Sequence, residues 1–220
     1  MDLWTIEREI FQSGISSVCG VDEAGRGPLA GPVCAAAVIL PLGLEIDGLN
    51  DSKKLSKKKR ESLFDIITEK AVSFGIAFAS VEEIEEYNIL GATYIAMNRA
   101  IAQLLYVPEI ALIDGNACKG IDYNCRCFVV GDAKCASIAA ASILAKVTRD
   151  RLMLEYDALF PQFGFAKHKG YGTREHYEAL RKYGPSQIHR MSFLKKFFEE
   201  DDAWTKNSSG ASENKQLQNF

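Results

Sequence analysis

The run Val18-Cys19-Gly20-Val21-Asp22-Glu23-Ala24-Gly25-Arg26-Gly27 sets a short apolar, strand-like segment against two carboxylates and then a Gly-Arg-Gly turn. Carboxylate oxygens suit hard divalent cations, and a glycine-rich turn with one arginine can bring backbone N–H groups and a guanidinium to a phosphate. A metal site next to a phosphate site is what phosphodiester chemistry requires. Successive strand residues point to opposite faces, so Asp22 and Glu23 cannot both face one way from a regular strand. Glu23 is therefore expected where the strand ends or bulges, or to act through its backbone carbonyl.

Working outward, residues 18–22 and 32–40 (PVCAAAVIL) read as strands, with 75–80 and 109–114 (EIALID) as further short ones. Residues 126–130 make another, ending at Gly131-Asp132. Ser52 or Ser56 can cap a helix reaching about Ala71, and Leu63, Ile66, Ile67 and Ala71 supply its apolar face. A short acidic helix is expected over 81–87 and a longer one over 88–105. The Ala-rich stretch from Ser137 to about Leu159 reads as a long helix able to lie close to a sheet. Lys146 and Asp150 stand one helical turn apart, and Ser142 lies on the same helix. Strands that first follow one another and then alternate with helices predict a mixed α/β fold.

Three of these strand-like segments end in acids: Asp22-Glu23, Asp114 and Asp132. Neighbouring strands would bring those carboxylates to one sheet edge, where they repel unless a cation lies between them. Oxygen ligands without a Cys/His set favour Mg²⁺ or Mn²⁺ over Zn²⁺. Two such cations about 3.5–4 Å apart can activate water and stabilise a leaving oxygen without a protein nucleophile. The chain carries neither a GxSxG elbow nor a P-loop.

Composition sets the outer bounds. The 220 residues, 47% hydrophobic, suffice for one good-sized core or one domain with an appendage. No apolar run spans a bilayer and the start lacks signal-peptide character, so a cytoplasmic protein without membrane attachment is expected. The net charge of −3 gives no global nucleic-acid signature, but basic clusters occur at Lys53-Lys54, Lys57 to Arg60, Lys167-His168-Lys169 and Lys195-Lys196. The six cysteines fit neither a zinc spacing nor a secreted framework, and are expected as small, packed free thiols.

DEAGRGPLAGPV (residues 22–33) resembles the opening motif of the bacterial ribonuclease HII family. So do LNDSKKLS (49–56), GDAKCASIAAASILAKVTRD (131–150), HKGYGT (168–173) and GPSQIHRMSF (184–193), in the family's order. The resemblance implies a ribonuclease H-like mixed sheet flanked by helices, with a small C-terminal helical segment. It implies a catalytic core over residues 1–159 and a substrate-binding segment over 160–204. Residues 205–220, polar and poor in core-formers, are expected to be a disordered tail. By the same resemblance Asp22, Glu23, Asp114 and Asp132 are the catalytic and metal-binding acids, holding Mn²⁺ or Mg²⁺. Gly25, Arg26 and Gly27 match the element that reads ribose 2′-hydroxyls, and Tyr171 matches an aromatic that packs on the deoxyribose past the scissile junction. Lys53 and Lys54 are expected phosphate contacts, while His168, His176 and His189 are expected to be structural. The implied activity is endonucleolytic: cleavage of the RNA strand of RNA–DNA hybrids and incision 5′ to single ribonucleotides in duplex DNA, by a monomer. A catalytically silent hybrid-binding module and a junction resolvase are the competing readings; four intact acids oppose the first, and the Gly-Arg-Gly turn with Tyr171 opposes the second.

Overall fold

The computed structural model describes residues 2–50 and 52–200. They fall into two compact units, one of residues 2–26 and 32–152, the other of residues 27–31 and 153–200. The tail expected over 205–220 lies outside the described residues.

The first unit contains α1 (Thr5–Gln12), β1 (Val18–Ala24), β2 (Val33–Ile39), α2 (Lys57–Lys70), β3 (Ser73–Ala79), α3 (Val81–Ala102), β4 (Ile110–Asp114), β5 (Cys125–Phe128) and most of α4 (Ala136–Leu159). The strands form one sheet in the order β3-β2-β1-β4-β5. β1 pairs antiparallel with β2, and β2 with β3; β1 pairs parallel with β4, and β4 with β5. This is the mixed sheet flanked by helices that the resemblance implied.

Every residue of β2 is buried, which explains its run of alanines: both faces are covered. Cys34, Ala36 and Val38 share a cluster with Leu63 and Ile67 of α2 and with Ala140, Ile143, Leu144 and Val147 of α4. The opposite face meets α3, and Gly75 on β3 is small because a Cβ there would run into the carbonyl of Ala100. α4 approaches the sheet equally closely at Gly20, where a Cβ would overlap the backbone of Ser137 and Ile138. The break expected in the helical stretch after Tyr87 is present: Asn88 has φ 58°, and its side chain accepts from Leu90 N (2.9 Å) and Gly91 N (3.2 Å) to start the second half of α3. Ser56 caps α2 through Lys59 N at 3.2 Å.

Two features depart from the sequence reading. α1 was not expected. It is tied down by partners far along the chain, since Glu7 accepts from Ser137 N (3.1 Å) and Ser137 Oγ (3.0 Å) and thereby caps α4. The cysteines are not all free thiols: Cys118 and Cys127 are joined by a disulfide, whereas Cys19, Cys34 and Cys135 are buried thiols and Cys125 is half-buried. The physical reason is the segment after Asp114, which folds back beside β5 and brings Cys118 to Cys127, a proximity that no spacing rule anticipates.

The second unit packs Leu29 and Ala30 with Met153, Phe163, Phe165, Leu180, Ile188 and Leu194. Its helices are the end of α4, then α5 (Phe165–His168), α6 (Arg174–Tyr183) and α7 (Met191–Glu200). Segment 27–31 is stitched in by backbone bonds: Leu29 N to Gly170 O, Gly31 N to Ile188 O and Arg190 N to Leu29 O, each 2.8 Å. Among the described residues no helix is long and apolar enough to cross a membrane.

The close approach at Gly20 predicts that Gly20→Ala lowers unfolding stability by about 1–3 kcal/mol, the usual range for overpacking. A urea midpoint equal to that of the unaltered protein would show that α4 yields there at no cost.

Candidate metal centre

The parallel register Val21↔Ile113 places Asp22 of β1 next to Asp114, the last residue of β4. One strand further on, Asp114 pairs with Phe128, and the chain leaves β5 through a tight turn, Gly131–Ala133. The Asp114 carboxylate accepts from Gly131 N at 2.6 Å, which ties the end of β4 to the turn carrying Asp132. As a result Asp22, Asp114 and Asp132 each offer a carboxylate oxygen, all within 4.8 Å of one another. Asp22 and Asp132 are each only 3% exposed.

Crowded, buried like charges carry an electrostatic cost. Burial, and then the neighbouring charges of Glu23 and Asp114, hold the Asp22 carboxyl well above the usual carboxylate range. Hydrogen bonds from Ser142 and from Glu23 N, the latter 2.7 Å long, pull the other way. Ser142 also shares a 2.8 Å hydrogen bond with Ser52. Hard carboxylate oxygens in mutual repulsion are the donor set that a divalent cation relieves, so these residues fit Mg²⁺ or Mn²⁺.

Glu23 is not part of the trio. It lies near the strand end as expected, the penultimate residue of β1 and past the last β1–β4 pair, but not on a bulge, because the β1–β2 register runs unbroken through Glu23↔Ala35 to Ala24↔Cys34. Its Oε1 accepts from Arg26 at 3.1 Å, while Oε2 is buried without a hydrogen bond. Burial raises its carboxyl; Arg26 opposes that, Asp114 adds to it and Lys53 opposes it. Glu23 thus feels both the trio and Lys53, and it has one buried oxygen left over for a cation. Lys53 and Lys54 stand exposed on the turn that starts at Ser52.

The Gly-Arg-Gly turn begins at Gly25, whose φ of +98° suits only glycine, and whose missing Cβ leaves room for the side chain of Arg149. Arg149 is 1% exposed and donates from Nε to Pro32 O at 3.0 Å. Sequence reasoning passed over it, although a signal existed: Ala141, Ala145 and Arg149 follow one another at helical spacing on a buried stripe, where an arginine needs an explanation. Within the second unit, Gly27 lies against Tyr171: a Cβ on Gly27 would stand 3.6 Å from the tyrosine Cε1. Tyr171 itself is 45% exposed. Lys146 and Asp150 form the expected pair at 2.7 Å. The three histidines are buried, as a structural role requires.

A mixed β3-β2-β1-β4-β5 sheet, with acids from two strand ends and the turn after β5 brought together, is the arrangement of a ribonuclease H-like fold. The comparisons with known proteins make this specific. The family model described as Ribonuclease HII matches residues 19–196. A relative named Ribonuclease HII from Clostridioides difficile (strain 630) is 54% identical over 189 residues, 86% of this chain and 74% of that protein. Another of the same name from Lachnoclostridium phytofermentans is 57% identical over 189 residues, again 86% of this chain and 74% of the relative. The crystal structure of the ribonuclease H2 from Pyrococcus horikoshii OT3 superposes with a TM-score of 0.67 at 25% identity, covering 84% of this chain and 100% of that one. The chain belongs to the ribonuclease HII family. It is a ribonuclease H, an endonuclease of RNA–DNA hybrids.

The raised carboxyls give a signed prediction for the metal-free protein. Asp22 and Glu23 bind protons more tightly folded than unfolded, so their contribution to stability is full below the unfolded values of about 4 and is lost as pH rises through the folded ones. At one fixed Mn²⁺ concentration the melting temperature should therefore rise more at pH 8 than at pH 5.5, because protons compete with the ion for these carboxyls at the lower pH; where the ion reaches a hundredfold excess over Kd the stabilisation is about 2.7 kcal/mol. Asp22→Asn should stabilise the metal-free protein at pH 8 and lose most of the Mn²⁺ shift; an undiminished shift would remove Asp22 from the metal centre.

Proposed function

We propose that this chain cuts the RNA strand of RNA–DNA hybrids and also incises 5′ to single ribonucleotides embedded in duplex DNA, leaving 3′-OH and 5′-phosphate ends. The observation that carries the chemistry is the convergence of Asp22, Asp114 and Asp132, with the unbonded Glu23 Oε2 beside Asp114's charge. These four acids would hold two Mn²⁺ or Mg²⁺ ions. Such ions, when bound, generate a water nucleophile near neutral pH and neutralise charge on the leaving oxygen. The protein's own contribution is to hold the carboxylates on rigid strand ends and to keep Ser142 donating to Asp22.

Substrate choice is assigned to backbone and shape. The 2′-hydroxyl alone marks a ribonucleotide in a duplex of any sequence, and a glycine turn lets backbone groups come close enough to read it. Gly25, Arg26 and Gly27 take that role, with Arg26 also meeting a phosphate. Tyr171, exposed and seated against Gly27, would accept a deoxyribose and collide with a 2′-hydroxyl on the following sugar. Lys53 and Lys54 would meet the phosphate backbone, a contribution that salt weakens.

Two measurements test the reading. Asp114→Asn should cost cleavage about a hundredfold or more, as expected for losing preorganised electrostatics, while hybrid binding at equal salt persists; near-normal turnover would exclude Asp114. Tyr171→Ala should lower kcat/KM on a duplex with one ribonucleotide more than on a continuous hybrid. Equal losses on the two substrates would refute junction sensing.

A further inference from the structure

All three histidines of the chain meet inside the second unit, where no part of the chemistry above uses them. His176 is fully buried, His189 is 3% exposed and His168 is 8% exposed. His189 Nε2 and His176 Nε2 are 3.0 Å apart, His176 Nδ1 is 2.9 Å from Tyr171 O, and Ser186 N is 2.9 Å from His189 Nδ1. The His168 ring stacks on His176 at 4.5 Å, and the rings of Phe163 and Phe165 close the cluster.

The protons can be assigned from both ends. A backbone N–H only donates, so Ser186 fixes His189 Nδ1 as an acceptor and puts the His189 proton on Nε2. A carbonyl only accepts, so Tyr171 O requires the His176 proton on Nδ1 and leaves His176 Nε2 as the acceptor for His189. The two assignments agree: Ser186 N–H to His189, His189 N–H to His176, His176 N–H to Tyr171 O, with Ser186 Oγ a second neighbour of His189 Nδ1 at 2.8 Å. An added proton at His176 Nε2 would face the N–H of His189. Burial keeps both imidazoles neutral, lowering each to about 4. The Tyr171 carbonyl also accepts from Thr173 N at 2.8 Å, and Tyr171 N donates to His168 O at 2.9 Å. Ala30 of the stitched segment bridges to His189 itself. His189 is therefore paired with the segment that carries Gly27, and His176 holds the backbone of Tyr171.

We infer that His176 and His189 are positioning residues that set selectivity for the ribonucleotide–deoxyribonucleotide junction, by holding the Tyr171 backbone in register with segment 27–31 through a neutral hydrogen-bonded relay. The inference rests on the junction-sensing reading of Tyr171. The relay does not touch substrate; it fixes where the tyrosine ring stands against Gly27. An apolar side chain of similar size at position 176 would fill the space but release the carbonyl. An asparagine there can put an amide N–H where imidazole Nδ1–H now donates.

The test compares kcat/KM on a DNA duplex containing one ribonucleotide with kcat/KM on a continuous RNA–DNA hybrid. His176→Leu should lower the ratio of the two by about tenfold, the scale of one net hydrogen bond, and His176→Asn should restore most of it. If His176→Leu does not fold, the pair His189→Asn and His189→Gln carries the test: only glutamine reaches His176, so the ratio should fall in the first and hold in the second. Tyr171→Ala is measured alongside. If it lowers the ratio while the histidine variants leave the ratio unchanged, or lose both activities equally, the relay is overturned and the tyrosine reading stands. If Tyr171→Ala itself leaves the ratio unchanged, junction sensing fails, and the relay's role in selectivity fails with it.

Discussion

The parallel pairing of β1 with β4 is the constraint on which the metal centre depends. Val21 opposite Ile113 leaves Asp22 and Asp114 as neighbours at the same end of the sheet, and a slip of one residue would turn each side chain to the wrong face. The β4–β5 register then brings Asp132 in through the hydrogen bond from Gly131 to Asp114. Three carboxylates held this way oppose one another, a cost that a bound cation would remove.

Tight cover is the second requirement, since mutual repulsion has to be resisted by packing. α4 supplies it with alanines where the sheet is nearest and with a glycine, Gly20, on the strand beneath. Ser142 then reaches Asp22 from the same helix, and Arg149, further along, fills the space over Gly25 and holds Pro32. A helix of small residues thus does more than fill space: its few larger polar side chains reach the sheet edge because the helix lies so close.

The parts of this arrangement legible in sequence were those with a local signature. β2 and β4 were visible as apolar runs ending within a residue or two of the observed strands, and the break at Asn88 was visible as a change of helical character. The acids were visible because each follows such a run. Face alternation correctly separated Glu23 from Asp22, but it did not reveal that β1 stays regular and that Glu23 turns toward Arg26. What stayed hidden depends on partners remote in the chain. Arg149 finds Pro32 117 residues away, α1 exists as a tied-down helix because Glu7 finds Ser137, and Cys118 finds Cys127 only because the segment between β4 and β5 doubles back. The eight residues of α1 are amphipathic, but a helix that short depends on tertiary contacts to hold it, and those lie far along the chain.

The bond between Glu7 and Ser137 spans 130 residues, and this separation has a consequence for how the protein is born. At ribosomal speeds of about 5–20 residues per second, the first strands wait roughly 6 to 26 seconds for the helix that closes over them. Until then the sheet's apolar face is bare and Asp22 has neither Asp132 nor Ser142 for company. Up to that point the chain holds only part of its acidic trio. The trio and its cover are both complete only once α4 has been made.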